Sequence, residues 1–312
     1  MKVLIDTVKD VGTEMKLFVL VRDDASPFTP YAAGAHVDVT TPGGAVRQYS
    51  LCGEPGDTTA LSILVKRQPG SRGGSESMHA LSAGQTLVIG APRNGFSIVD
   101  DVGPHLLFSA GVGITPILSM AHQLESLNRP YAWHHFARGS HSDDLYEALS
   151  LARFKDRLTF NVDLDRHRIA AEMKCVLKSA ATSRFIYACG PDGFMSTLSG
   201  LSSQLLPSAS VLTEAFSATA PDANARAFTI HLAKSNATLE VGEQETLIEV
   251  LRRNGVAIAS GCEQGVCGMC ATEVLSGSVV HLDDALSDDE REAQHLMCPC
   301  VSRANGRVIL NL

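Results

Sequence analysis

A chain of 312 residues with 45% hydrophobic side chains is long enough for two or three separate cores, and a net charge of −8 argues against a nucleic-acid partner. No apolar run reaches the roughly 20 residues a membrane helix needs, and Met1-Lys2-Val3-Leu4-Ile5-Asp6 meets a charge too early for a signal peptide. Eight cysteines without secretion point to a reducing cytoplasm.

The first hundred residues read as short strands. Leu17 to Val21, Ala35 to Thr40, Val46 to Leu51, Leu61 to Lys66 and Thr86 to Ile89 are rich in Val, Ile, Leu and Thr, and Pro, Gly and Asp turns separate them. This regular spacing predicts a small antiparallel barrel. Inside it, Arg47-Gln48-Tyr49-Ser50 is followed by Ser71-Arg72-Gly73-Gly74-Ser75, ahead of a short helical pattern at Glu76 to Leu81. Glycines before a helix start, with Ser and Arg alongside, form an anion site from free N–H groups. An R-x-Y-S alone is more often an edge-strand arginine beside an ordinary tyrosine. Together the two pieces describe a flavin site, with Tyr49 and Ser50 on the ring and Arg47, Arg72, Gly73, Gly74 and Ser75 on a phosphate.

From residue 105 to about 216 the period changes. His105 to Gly111 reads as a buried strand, and Gly113-Ile114-Thr115-Pro116 opens a helix with Thr115 expected as N-cap and Pro116 at the first helical position. Ile117, Met120, Ala121 and Leu124 recur at helical spacing, so one face of that helix is expected on a sheet. Strand and helix patterns then alternate through Tyr131–Ala137, Leu145–Leu151, Leu158–Val162, Ala170–Leu177 and Arg184–Cys189, ending in a helix with Phe194, Leu198, Leu201 and Leu205 inward. That alternation predicts a parallel α/β sheet. Ligands lie at the carboxyl ends of such strands. There fall Gly111-Val112-Gly113-Ile114-Thr115-Pro116 and Cys189-Gly190-Pro191-Asp192-Gly193. The first lacks the third glycine of a dinucleotide fingerprint, and alone it could be a tight turn. Two glycine turns ending two strands of one sheet favour a nucleotide.

Ser217 to Arg226 has no large apolar residue and reads as a linker. Phe228 to Ala233 and Ala237 to Val241 form a hairpin pattern, and Thr246-Leu247-Ile248-Glu249 is a capping box for a helix ending at Arg253-Asn254-Gly255. Cys262, Cys267 and Cys270 are spaced C-x4-C-x2-C with a further cysteine downstream, the plant-type pattern for four thiolates on two irons. Zinc also takes four thiolates, but usually from two short C-x2-C pairs. Cys298 and Cys300 are both within reach as the fourth ligand, and spacing does not choose between them. The acidic residues Asp283, Asp284, Asp288, Asp289, Glu290 and Glu292 read as a solvated helix start in preference to a docking patch.

Arg47-Gln48-Tyr49-Ser50-Leu51-Cys52, Val65-Lys66-Arg67, Ser71-Arg72-Gly73-Gly74-Ser75, Ala91-Pro92-Arg93-Asn94, Gly111-Val112-Gly113-Ile114-Thr115-Pro116, Cys189-Gly190-Pro191, Glu214-Ala215-Phe216 and the C-terminal cysteines together resemble the phthalate dioxygenase reductase family, which includes vanillate O-demethylase reductases. The resemblance covers the whole chain in the same order. It implies an antiparallel β-barrel that binds FMN over residues 1–100, an α/β parallel-sheet domain for NADH over 101–222, and an α+β plant-type ferredoxin (β-grasp) domain over 223–312. Residue by residue, it implies FMN contacts at Arg47, Gln48, Tyr49, Ser50, Val65, Lys66, Arg72, Gly73, Gly74 and Ser75, with Thr115 near the reactive edge and Phe216 covering the ring. Gly111, Gly113, Pro116, Cys189, Gly190 and Pro191 are then expected along the nucleotide path, and the resemblance selects Cys300 beside Cys262, Cys267 and Cys270 as cluster ligand. Val112 stands where many relatives carry a glycine.

The expected activity is electron transfer from NADH through FMN and a [2Fe-2S] cluster to a terminal oxygenase component, with Ser50, Thr115 and Cys189 positioning the reacting rings. No acid or base is expected to be needed for hydride transfer itself. NADH is favoured over NADPH because the segment after Phe136 offers Arg138 alone for a second phosphate. The reductase is expected to be a monomer without membrane contact. A P450 reductase and a non-enzymatic iron-sulfur sensor share part of this pattern. No two-histidine, one-carboxylate iron site is discernible, so oxygenation is expected on a separate protein.

Overall fold

The computed structural model describes residues 1–68, 74–139, 142–180, 182–216, 225–259, 265, 268–283 and 285–312. The chain forms two compact units, Met1–Phe216 and Ser217–Leu312. Among the described residues no helix is long and apolar enough to cross a membrane.

The first unit begins with an antiparallel barrel. Its strands are β1 (Lys2–Val11), β2 (Met15–Arg22), β3 (His36–Thr40), β4 (Val46–Ser50), β5 (Leu61–Lys66) and β6 (Thr86–Ile89), in spatial order β4-β3-β6-β1-β2-β5. A bridge between Leu51 and Ile63 brings the two edge strands together, so the sheet closes and hides its edges. Alternate side chains, among them Val3, Ile5, Phe18, Leu20, Val37, Leu61 and Ile63, fill the interior. Each such buried side chain contributes roughly 1.5–3 kcal/mol. Helix α1 (Gly74–His79) rests on β5, with His79 Nε2 2.9 Å from the Val65 carbonyl. The strand patterns read from sequence match β2 to β6 within a few residues, whereas β1 went unread. Its apolar positions are broken by Asp6, Lys9 and Asp10, and a bulge between Ile5 and Thr7 shifts the alternation.

The same unit carries a parallel sheet of β7 (His105–Ala110), β8 (Tyr131–Ala137), β9 (Leu158–Val162), β10 (Phe185–Cys189) and β11 (Ser210–Glu214), in order β11-β10-β7-β8-β9. Every residue of β7 is buried, as a central strand covered on both faces requires. On one face α4 (Arg166–Ser179) and α5 (Asp192–Leu205) contribute Met173, Val176, Leu177, Met195 and Leu198. On the other lie α2 (Ile114–Ser126) and α3 (Ser142–Ala148). The expected single buried face of α2 understates its environment. It is buried nearly all round, because the sheet covers one side and barrel residues such as Val11, Met15, Cys52, Leu64 and Phe96 join the same core on the other. The Gln123 side chain on α2 also accepts the Ala33 N–H at 2.9 Å.

One expectation for α2 is corrected. A 3-10 turn over Gly111–Gly113 runs straight into it, so Gly113 is the N-cap and Thr115 lies inside the first turn, where its hydroxyl donates to the Val112 carbonyl at 3.0 Å. Pro116 therefore sits at the third helical position and still loses no hydrogen bond, because first-turn N–H groups have no helical acceptor.

The second unit holds β12 (Phe228–Leu232), β13 (Ala237–Val241), α6 (Leu247–Arg253), β14 (Thr272–Val280), α7 (Asp288–Ala293), β15 (Leu296–Met297) and β16 (Arg303–Leu310). Strand order is β13-β12-β16-β14-β15, with β12 and β16 parallel, and α6 lays Leu247, Val250 and Leu251 on the sheet. Thr246 and Glu249 form the capping box that the sequence announces. A second box, Ser287 with Glu290, starts α7 and accounts for the exposed acids Asp288, Asp289 and Glu290 as a helix start. Asp283 departs from the solvated reading, since its side chain is fully buried and accepts hydrogen bonds from Ser302 Oγ at 2.6 Å and the Leu286 N–H at 3.2 Å. Asp284 and most of the 217–226 linker lie outside the described residues.

Candidate functional site

In the parallel sheet the chain runs β7, β8, β9 in one direction and then returns to place β10 on the other side of β7. The strand order reverses at β7 and β10, and α/β sheets bind ligands in the crevice outside the carboxyl ends of the strands at such a point. Both glycine turns meet at that point. A Cβ on Gly113 would lie 2.3 Å from the Cys189 carbonyl oxygen and 2.8 Å from the Gly190 nitrogen, so only glycine lets the two turns approach this closely. Gly111 has φ +55°, and Gly190 packs on Ala110 and Phe194.

A polar row crosses the sheet just behind these turns. Glu214, Cys189, Ser109 and His135 stand in register on four adjacent strands. His135 is fully buried with Nδ1 2.8 Å from Ser109 Oγ, which also accepts from Trp133 Nε1 at 2.8 Å. Burial drops the imidazole to about 3, so it is neutral. At the other end Ser50, on the barrel strand β4, donates to Glu214 Oε2 at 3.2 Å. Burial pushes the Glu214 carboxyl up to about 7, with the Ser50 hydrogen bond opposing it. Cys189 is fully buried, and its thiol is raised above the ordinary range first by burial and then by Glu214. Phe216, two residues past Glu214, is half-buried against the core that contains Cys189 and Ile114.

Further along β4, Arg47 lies over Gly74 at the start of α1, where a Cβ would come 3.0 Å from Arg47 Nε. Ser75 Oγ accepts the Gln68 N–H at 3.0 Å. Tyr49 packs against the barrel core and burial lifts its hydroxyl to about 12, so it remains a neutral donor. Gln48 Nε2 is buried without a hydrogen-bond partner among the described residues. A guanidinium over the first residue of α1 and an orphaned buried amide fit the phosphate and the polar ring edge of a flavin mononucleotide. Val65 is a core side chain, so only its backbone can face a ligand. Lys66 is exposed and paired with Glu14 at 3.4 Å. Arg138 is exposed at the end of β8, two strands from Cys189.

In the second unit Cys270, Cys298 and Cys300 are buried free thiols in one cluster with Ile248 and Leu286. Cys270 Sγ and Cys300 Sγ are 3.3 Å apart. Two thiolates on one tetrahedral metal at a bond length of about 2.3 Å stand about 3.8 Å apart, so the pair needs only a slight opening to share an iron. Hydrogen bonds, first from Cys298 and then from Cys300, hold the Cys270 thiol well below its ordinary range. The residues after Cys300 are anchors. Ser302 bonds to Asp283, while Arg303 is buried over the Phe228 ring at 5.0 Å and donates to the Glu245, Gly242 and Arg226 carbonyls. Gly265 has φ +80°, and a Cβ there would meet Val301 Cγ2 at 2.6 Å, so that loop position needs glycine twice over.

A family model for the 2Fe-2S iron-sulfur cluster binding domain matches residues 230–305. Vanillate O-demethylase oxidoreductase from a Pseudomonas species is 33% identical, over 99% of this chain and 98% of that protein. Phthalate dioxygenase reductase from Burkholderia cepacia is 31% identical, over 100% and 97%. The chain belongs to the phthalate dioxygenase reductase family. A solved phthalate dioxygenase reductase, described as a modular structure for electron transfer from pyridine nucleotides to [2Fe-2S], superposes with a TM-score of 0.77 at 30% identity, covering 100% of this chain and 98% of that one.

Within this family member the structure brings Ser50, Gly113, Cys189, Gly190 and Phe216 to one region, Arg47 and Gly74 to another, and Cys270 and Cys300 to a third. Arg72, Gly73, Cys262 and Cys267 lie outside the described residues. Glu214 is the residue that the sequence reading passed over. It was visible only as the first letter of Glu214-Ala215-Phe216, and its place became meaningful once β11 put it beside Cys189 and opposite Ser50.

Proposed function

We propose that this chain is the NADH-dependent reductase component of a two-component oxygenase, passing electrons one at a time to a Rieske-type terminal oxygenase or O-demethylase that acts on aromatic substrates. The observation that carries the reading is the joining, in one chain matched end to end by two reductases of this kind, of a sheet-end crevice and a pocket of buried free thiols. FMN, when bound, takes two electrons as a hydride and releases them singly to a one-electron [2Fe-2S] centre.

The chain supplies binding and position. Arg47, Arg72, Gly73, Gly74 and Ser75 hold the phosphate, Gln48, Tyr49 and Ser50 the ring edge, and Phe216 one ring face. The Val65 backbone borders the ring, and Thr115, its hydroxyl tied to Val112, stiffens the turn beside it. Gly111, Gly113, Pro116, Gly190 and Pro191 let the nicotinamide approach closely, with Arg138 toward the adenosine end. Cys189, kept as a neutral thiol by burial, borders the nicotinamide without adding charge. Ser50 and Glu214 form a hydrogen-bonded polar edge where the flavin meets it. Glu214 can hold a proton near neutral pH beside that edge, although hydride transfer itself needs no acid or base. Lys66, paired with Glu14, has the weakest support as a flavin contact. Cys262, Cys267, Cys270 and Cys300 take the cluster. The domain limits 1–100, 101–222 and 223–312 follow this division of labour, and the chain works as a cytoplasmic monomer.

Anaerobic titration with NADH under visible absorbance tests the reading. Bleaching of flavin and cluster bands, with about three electrons accepted per chain, supports it. A cluster that NADH leaves untouched would make the chain a sensor. Electron delivery to a purified P450, with none to a Rieske oxygenase, would change the acceptor and leave the crevice chemistry standing.

A further inference from the structure

Cys298 is a buried thiol that the electron path above does not use. It is fully shielded from solvent and packs in the same small cluster as Cys270, Cys300, Ile248 and Leu286. Its carbonyl accepts the N–H of Val301 at 3.1 Å and of Ser302 at 2.9 Å, closing a tight turn around Pro299. That turn is pinned from α6, because the Ile248 N–H donates to the Pro299 carbonyl at 3.0 Å. The result is two cysteines one residue apart that both pack in the buried cluster holding Cys270, with Cys300 Sγ 3.3 Å from Cys270 Sγ. A small apolar filler needs no such pairing.

We propose that the fourth thiolate position of the cluster is degenerate, with Cys298 as a reserve ligand able to bind the iron that Cys300 binds. The proposal rests on the reading of Cys270 and Cys300 as cluster ligands. The exchange would break one iron–sulfur bond to Cys300 and make one to Cys298, whose proton passes to the released Cys300 sulfur, and no electron moves. The turn around Pro299, held from α6, keeps its backbone in place while the donor changes.

The test uses the full-length chain purified without oxygen, as wild type, Cys298→Ser, Cys300→Ser and the double variant, with iron and sulfide per chain, visible spectra and electron paramagnetic resonance of the reduced protein. Iron in the wild type checks the cluster reading separately. Cys298→Ser is expected to match wild type. Cys300→Ser is expected to hold about tenfold more iron than the double variant, with altered g-values. Equal iron in those two would overturn the proposal, as would a Cys298→Ser protein that loses its cluster while Cys300→Ser keeps the wild-type spectrum. A second measurement does not depend on any variant folding. Iron-depleted wild type is treated with glutathione disulfide, which oxidises two thiols to one disulfide and is itself reduced to two glutathiones, and the bridges are mapped by mass spectrometry. Cys270 linked to both Cys298 and Cys300 supports the proposal; linkage to Cys300 alone refutes it.

Discussion

The crevice of the first unit and the thiol pocket of the second are assembled in opposite ways. In the pocket, the described cysteines lie in two short stretches, Cys270 and Cys298 to Cys300, and the anchors Ser302 and Arg303 follow directly after Cys300. In the crevice, Ser50 and Glu214 are 164 residues apart and meet only because a barrel strand and a sheet-edge strand share one core. A site written in consecutive residues tolerates loss of distant contacts and fails at a single ligand. A site written across strands spreads its dependence over many positions.

The largest effect should follow from Cys270→Ser. It removes a thiol that stands 3.3 Å from Cys300 Sγ in the pocket, so iron content and one-electron delivery to an oxygenase or artificial acceptor should fall to background. Flavin reduction by NADH should keep its wild-type rate, because those residues belong to the first unit. A parallel loss of flavin reduction in stopped-flow traces would show that the two sites are not separable.

The same contrast explains what the sequence made legible. The Thr246 capping box and the strands Leu61–Lys66, Thr86–Ile89 and Tyr131–Ala137 depend on neighbours in the chain, and they are where the pattern puts them. Glu214 was opaque because β11 is a five-residue edge strand, and nothing local says that Cys189 will stand beside it. Thr115 was recognised as important and given the wrong place, since a 3-10 turn ahead of a helix moves the cap without changing composition. Lys66 shows the converse. Its neighbours in sequence suggest a cofactor, while the β1–β2 hairpin supplies Glu14 as its partner.

Glu214→Gln sharpens the comparison on the crevice side. The folded carboxyl titrates near 7, against about 4.5 in an unfolded chain, so the folded state holds a proton that the unfolded state has released between those values. Its contribution is therefore complete below the unfolded value and is lost as pH rises toward 7, a difference on the order of 3 kcal/mol before screening. Replacement by the neutral amide should flatten the fall in melting temperature of the flavin-bearing unit between pH 5 and 7. If the variant shows the wild-type slope, the raised carboxyl is not what drives it.

Gly113→Ala probes the meeting of the two turns. A methyl 2.3 Å from the Cys189 carbonyl oxygen must push one backbone turn away, and overpacking of this kind costs roughly 1–3 kcal/mol. On the proposed nucleotide path that turn meets NADH, so KM for NADH should rise with little change in cluster content. An unchanged KM alongside lowered stability would place the nucleotide elsewhere.

Thr246→Ala should have the smallest effect, and it asks whether the pocket is as local as it looks. The Thr246 hydroxyl caps α6 by accepting the Glu249 N–H at 3.3 Å, and losing such a cap costs about 1 kcal/mol. That helix contributes Ile248, which packs on the thiols and whose N–H holds the Pro299 carbonyl. The cost should therefore surface at the cluster before anywhere else, as bleaching of its visible absorbance a few degrees below wild type while flavin fluorescence is released at the wild-type temperature. Simultaneous loss of both signals would mean that the pocket draws its stability from the whole chain, and the contrast between a local and a distributed site would then hold for sequence alone.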